Sequence, residues 1–328
     1  MVAFAKIKKL TNWLFEGPVA NTIQSLYALD KVMNLFIKII YIILRILFII
    51  TLGKKRRDNS QFYREFGSRV NVNFSFYLFM FFYKVIRLLR LGNPTLITIY
   101  VPKYKYKVYC PLTEDDYAHM TTREDDIIEK FQPKDGGIVV DVGAHYGRYA
   151  IIAAKRVGPK GKVIAIEADP KNFDMLNKNI KLNELSGHVI TLNYAASSNK
   201  SKVKLSIPEK KSGHTIYSSI ITSRAPTEKF IEVNANTIDN LLHENGISLE
   251  QVNWIKIDVE GAELEVLKGT INILSKSKDI SFLIEIHDVG NGKTLYEPIM
   301  DLLNDYNFKK EFEKIYKSGE RHLIVSKQ

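Results

Sequence analysis

The residues able to do chemistry gather at three points of the chain. Asp141-Val-Gly-Ala-His-Tyr-Gly147 is followed by Ile166-Glu-Ala-Asp-Pro170, then come Asp258, Glu260 and Glu263, and then Glu285 and His287. Gly143 can leave a strand in a conformation that a Cβ would penalise, and Gly147 can bring the first turn of a helix against a ligand backbone. With Ala144 and His145 between them, the N–H groups at such a helix start are expected to stay free and face an anionic group. Glu167, ending the next strand beside Ala168, stands where a doubly wound fold places a carboxylate to accept two hydrogen bonds from a ribose. Together these features describe a nucleoside-cofactor site.

A dinucleotide fold of an oxidoreductase or epimerase has a similar outline, but its fingerprint is G-x-G-x-x-G. This chain carries D-x-G-x-x-x-G. Asp141 is expected to point a negative charge into the mouth of the site, which is awkward for a pyrophosphate and welcome for a cofactor bearing an ammonium and a sulfonium. S-adenosylmethionine is therefore the expected cofactor and NAD(P) the alternative. A glycine turn in a cofactor-free domain is the blander reading.

The elements that must hold these residues follow from periodicity. Ile138 to Val142 is a short β-branched run, Tyr149 to Lys155 an apolar helical pattern, and Lys162 to Glu167 a second strand. Pro170 opens a helix with Phe173, Leu176 and Ile180 on its apolar side, ending near Asn183. The strand His188 to Asn193 leads to Tyr194, and either Asn193 or Tyr194 is placed to touch an adenine or to pack in the core. A Ser-, Thr- and Lys-rich stretch from Ser206 to Lys229, containing His214, breaks the rhythm as a substrate cover or a plain hairpin.

Trp254 to Asp258 puts Lys256 and Asp258 on one face by the period of two, and runs into a helix from Val259 to Gly269 opening with acids. Phe282 to His287 brings Glu285 and His287 to the same edge. A helix from about Lys293 to Tyr306 and strands near Phe308 to Phe312 and His322 to Val325 complete seven strands. The fold class is α/β and Rossmann-like. Before it, Thr121 or Thr122 is expected to cap a helix carrying Ile127, Ile128 and Phe131, with Glu114 to Asp116 and Glu124 to Asp126 as solvated helix starts.

Charge separates the chain into parts. The net charge is +11 over 328 residues, but residues 1–110 hold 18 Lys and Arg against 4 Asp and Glu, leaving −3 for the rest. A nucleic-acid partner is therefore not expected, since phosphate contacts need Lys and Arg around the site. The single cysteine, Cys110, permits no internal disulfide and agrees with a reducing compartment.

The basic part reads as membrane-associated. Leu35 to Leu52 is nearly all Ile, Leu and Phe, and on a helix Asn34, Lys38, Tyr41 and Arg45 form one narrow polar stripe. Eighteen residues reach about 27 Å, enough to cross a bilayer core or to lie along its surface. Phe74 to Leu91 is too short of uncharged residues to span, and its Lys84, Arg87 and Arg90 suit anionic headgroups. The cluster Lys54 to Arg57 would keep the following domain cytoplasmic. The expected organisation is a membrane-associated helical region at 1–91, a linker with short strands at 92–112, where Leu96 to Val101 and Tyr104 to Tyr109 flank Pro102, and a catalytic domain at 113–328.

The motifs Asp141 to Gly147, Ile166 to Pro170 with Leu176-Asn-Lys-Asn-Ile180, and above all Ile255-Lys-Ile-Asp-Val-Glu-Gly-Ala-Glu-Leu-Glu-Val-Leu-Lys-Gly269 resemble the FkbM family of S-adenosylmethionine-dependent methyltransferases. The resemblance covers roughly residues 110 to 328. It implies a class I methyltransferase sheet whose last strand is antiparallel, and O-methylation of a sugar or natural-product hydroxyl. An acid after the third strand is common in related sites; here Asn193 stands nearby instead. For such a transfer, His287 is the first expected general base, with Asp258, Glu260 and Glu263 as alternatives. An Asp/Glu cluster holding a divalent ion is the other option, but the acids show no clear ligand spacing, so no metal ligand is expected. The membrane-associated part suggests a glycan or lipid-linked acceptor.

Overall fold

The computed structural model describes residues 98–101, 103–109, 119–121, 124–206, 229–289, 294–316 and 319–327. These fall into two units that divide between Arg123 and Glu124. Both long apolar stretches, 35–52 and 74–91, lie outside the described residues, as do Cys110 and His214. Among the described residues no helix is long and apolar enough to cross a membrane.

In the first unit, β1 (Thr98–Val101) and β2 (Tyr106–Tyr109) pair antiparallel from Thr98 opposite Tyr109 to Val101 opposite Tyr106. These are the short strands expected on either side of Pro102, and they pair as a hairpin. The Tyr106 hydroxyl donates to the Met120 carbonyl.

The second unit opens with α1 (Asp125–Ile128), whose Ile127 and Ile128 are buried together with Phe131. Its first turn is not capped by a threonine. Glu124 stands at the cap position with φ 60° and makes no side-chain capping bond. Of the acidic start, Asp126 is exposed, but Glu124 accepts from the Tyr149 hydroxyl at 3.0 Å and Asp125 from Arg148 at 2.9 Å; residues 114–116 lie outside the described residues. The short helix is held by these pairs, which link it to the start of a later helix in the chain.

Next come β3 (Ile138–Val142), α2 (Arg148–Val157), β4 (Lys162–Ile166), α3 (Pro170–Leu182) and β5 (Val189–Leu192). Pro170 does start its helix, with Asp169 as cap accepting from Lys171 N–H at 2.8 Å. β6 (Ala195–Ala196), β7 (Ser201–Ser206) and β8 (Phe230–Asn236) make a small separate sheet in the order β6-β8-β7, the last two antiparallel. The polar stretch is thus carried on a hairpin, though residues 207–228 between its strands are not described.

The chain continues through α4 (Ile238–Glu244), β9 (Val252–Ile257), α5 (Glu263–Lys268), α6 (Ile271–Lys276), β10 (Ile280–Ile286), α7 (Tyr296–Asp305), β11 (Lys309–Ile315) and β12 (Arg321–Lys327). The main sheet has seven strands in the order β11-β12-β10-β9-β3-β4-β5. Its five consecutive members from β10 to β5 are parallel, while β12 runs antiparallel to both β10 and β11. Parallel strands covered on both faces must be apolar throughout, which is why Val140, Ile164, Ile255, Ile257, Phe282 and Ile284 are all fully buried. The fold is therefore α/β with a mixed sheet, and its last strand is the reversed one.

Candidate active site

The ends of β3, β4, β9 and β10 bring the chemical residues to one sheet edge. Asp141 lies opposite Lys256 in the β3/β9 register, and Glu285 opposite His322 in the β10/β12 register. Side chains on neighbouring strands at the same level necessarily meet.

The turn after β3 is built from inside. Gly143 has φ 72°, and a Cβ there would stand 1.8 Å from the carbonyl oxygen of Asp258. Its glycine is thus required by close approach of the loop that follows β9, as well as by the turn. Gly147, at φ 94°, faces Leu176 Cδ1 at 2.7 Å from its notional Cβ. It serves the packing of α2 on α3 rather than the approach of a ligand to the helix. In the turn before the helix, Gly143 and Ala144 donate to the Ile166 carbonyl at 2.9 and 3.0 Å. His145 N–H donates to Glu167 Oε2 at 2.7 Å, with His145 itself at φ 49°.

Glu167 sits at the tip of β4, accepting from His145 N–H and from Asp169 N–H at 2.9 Å. Burial raises its pKa to about 7, the two backbone donors pulling the other way. A carboxylate has about four acceptor positions, so two remain for hydroxyl donors. Asn193 donates its amide to the carbonyls of Glu167 and Ala168 at 2.8 and 3.1 Å. It holds the β4 tip, leaving its own carbonyl oxygen as the acceptor suited to an adenine amine. Tyr194 packs against the main core.

Asp141 does not open on the mouth of the site. Its side chain is 1% exposed, and the Lys256 ammonium lies 3.7 Å away. Burial raises its pKa, Lys256 opposing. Lys256 also donates to Asp258 Oδ2 at 3.1 Å and to the Gly143 carbonyl at 3.3 Å, and lies 5.1 Å from the Tyr149 ring centre. Burial draws Lys256 down, but Asp258 and Asp141 outweigh it and hold the ammonium above the ordinary lysine range. The excess negative charge expected from Asp141 is thus offset by a lysine, and the acceptor set that suits an adenosyl group rests on Glu167 and Asn193.

At the other end of the edge, Asp258 and Glu260 stand in the loop before α5, not at a helix start, with Glu260 at φ 55°. His287 Nδ1 bonds Glu263 Oε1 at 2.7 Å, while its Nε2 lies 3.7 Å from oxygens of Asp258, Glu260 and Glu285. Burial lowers the His287 pKa, but the bond to Glu263 and the carboxylates of Glu260 and Glu285 dominate and raise it to about 10. With no cation among them, these carboxylates favour the protonated ring. Glu263 is not the general base: it is fully buried and spends Oε1 on Gly261 N–H and His287. Asp258, held below the ordinary range against its burial by Lys256 and His287, remains ionised.

A neighbouring group escapes sequence patterns. His322 Nε2 lies 3.3 Å from Glu285 and 3.8 Å from Glu124, and its Nδ1 is 3.0 Å from the Tyr316 hydroxyl. Only the insertion of β12 beside β10 brings it there.

The model of the methyltransferase FkbM domain matches residues 141–310. The chain belongs to the FkbM methyltransferase family. Among relatives of this FkbM chain, methyltransferase sdnD of Sordaria araneosa is 30% identical over 156 residues, 40% of this chain and 59% of that protein. Hexuronic acid methyltransferase AglP of Haloferax volcanii is 32% identical over 168 residues, 50% of this chain and 62% of that protein. The chain thus spans about three fifths of the curated relatives it matches. The crystal structure of methyltransferase FkbM from Methylobacillus flagellatus KT is 18% identical with a TM-score of 0.43, covering 64% of this chain and 50% of that one. Family membership sets aside the dinucleotide-dependent alternative.

Proposed function

We propose that this FkbM chain is an S-adenosylmethionine-dependent O-methyltransferase acting on a hydroxyl of a sugar, glycan or lipid-linked acceptor at a membrane surface. The observation that carries the reading is the β4 tip of an FkbM domain, where Glu167 keeps spare acceptor positions beside the Gly143–Gly147 turn. The similar hexuronic acid methyltransferase supports a sugar acceptor. The apolar and basic composition of residues 35–91 supports a lipid surface.

Bound there, S-adenosylmethionine supplies a methyl already activated on a sulfonium, so transfer to a hydroxyl yields a methyl ether, a neutral thioether and one proton. Glu167 would accept from the ribose hydroxyls, and the Asn193 carbonyl would accept from the adenine amine. Asp258 and Glu260 form the acceptor side, where a hydroxyl donating to them is oriented and sheds its proton. The Lys256 ammonium keeps Asp258 ionised and ready to accept.

Calorimetry with S-adenosylmethionine tests the cofactor half. Glu167→Ala is expected to lose binding, and unchanged affinity would defeat the assignment. Incubating the protein with membrane extracts and screening for products heavier by one methyl group tests the acceptor half.

A further inference from the structure

His287 is 3% exposed, and its two ring nitrogens are treated differently. Nδ1 is fixed by Glu263, whose Oε1 is itself held by Gly261 N–H at 2.8 Å. Nε2 makes no hydrogen bond, yet oxygens of Asp258, Glu260 and Glu285 each stand 3.7 Å from it. A buried nitrogen facing three carboxylates, each just beyond bonding distance, is a poor hydrogen-bonding site. As a ligand set it is better: adjacent donors about 2.1 Å from a shared octahedral ion stand about 3.0 Å apart, so a closure of under about 1 Å would bring these atoms onto one ion. One ligand atom each from Asp258, Glu260 and His287 lie within 4.8 Å of one another.

We propose that Asp258, Glu260 and His287 form a binding site for a divalent cation of the Mn2+ or Mg2+ kind, open on one side to the hydroxyl of the acceptor. The expectation of no metal ligand is thereby revised. Its reason is topological: two ligands come from the loop after β9 and the third from the end of β10, so no spacing in the sequence reveals them. Glu263 supplies what metal-binding histidines ordinarily have, a carboxylate on the far nitrogen that fixes the tautomer and the ring. Two carboxylates and one imidazole favour an oxygen-preferring ion over a thiolate-preferring one. The ion would orient an acceptor hydroxyl, with any vicinal one, and lower its pKa, so a weak base suffices.

The role in methyl transfer rests on the function proposed above, so the test separates the two. Full-length protein is stripped with chelator and titrated by calorimetry with MnCl2 alone, and separately with S-adenosylmethionine. The expected result is one Mn2+ per chain, with nitrogen coupling visible by pulsed electron paramagnetic resonance. Glu260→Gln is expected to weaken Mn2+ at least tenfold and His287→Ala to abolish the nitrogen coupling, both retaining the wild-type circular dichroism. Glu263→Gln is expected to weaken Mn2+ about tenfold through loss of ring orientation. Absence of Mn2+ binding up to millimolar concentration, or binding untouched by Glu260→Gln and His287→Ala, overturns the site. Cofactor binding by stripped protein is expected to persist, so a failed metal titration leaves the methyltransferase assignment standing.

Discussion

Replacing Gly143 by alanine perturbs the site through the backbone alone. The residue sits at φ 72°, and its new Cβ would lie 1.8 Å from the Asp258 carbonyl oxygen. Ordinary contact begins at 3.4 Å, so the loop after β9 must retreat by about 1.6 Å or the β3 turn must distort. The left-handed conformation costs a side-chain-bearing residue roughly 1–2 kcal/mol, and forcing a methyl into filled space a further 1–3 kcal/mol or so. The expected loss is about 2–5 kcal/mol in urea denaturation. Asp258 moves with its carbonyl, and a misplacement of about 1 Å lowers kcat/KM about 100-fold. Gly136 is the control: its φ is 73°, but its Cβ would meet nothing nearer than Lys160 Cβ at 3.9 Å. Gly136→Ala should therefore show the conformational cost only, about 1–2 kcal/mol, with full turnover. If Gly143→Ala loses no more stability and no more activity than Gly136→Ala, the inferred contact between the two loops is wrong.

Glu167 predicts a pH dependence of defined sign. Its folded pKa of about 7 lies above the ordinary 4.5, so the folded state holds the proton more tightly and stability falls as pH rises from about 4.5 to about 7. The loss amounts to about 3 kcal/mol, and denaturation of wild type and Glu167→Gln at pH 5 and pH 8 should show it in wild type alone; equal slopes would contradict it. Hydroxyl donors favour the ionised form, so S-adenosylmethionine binding should strengthen as pH rises from 6 to 8 and release a proton, seen by calorimetry in buffers of different ionisation heat. Lys256→Met leaves Asp141 and Asp258 buried without their cation, and a loss of about 3 kcal/mol is expected from chemical denaturation; a loss below 0.5 kcal/mol, or thereabouts, would show the pairing to be idle. Deleting residues 1–91 should free the protein from anionic liposomes in flotation, and co-flotation of the shortened chain would refute the membrane assignment.

Much of the fold was legible because its signals are local. The glycine turn after Asp141, the proline opening α3 and the period of two that puts Lys256 beside Asp258 each depend on residues a few positions apart. What depends on strand order was not legible. Asp141 looked like a pocket charge until β9 was found beside β3, which sets Lys256 against it. His287 looked like a base because its intrinsic pKa suits one; four surrounding carboxylates from two different segments change that. Glu124 looked solvated, though it lies between Tyr149 and His322, which are 173 residues apart in the chain (322 − 149). The acids were visible as residues, and their neighbours were not.

The position of β12 bears on how the chain comes to be folded. It is synthesised after both of the strands it lies between, so a nascent protein must present β10 and β11 with a gap one strand wide. Until Arg321–Lys327 emerges, the apolar border of β10 and the largely charged β11 stay exposed to pairing with each other or with another molecule. A ribosome stalled before that segment would therefore carry a half-zipped sheet rather than a slightly shortened enzyme. Fusions that delay or tether those residues should raise the demand for chaperones well before they touch the chemistry.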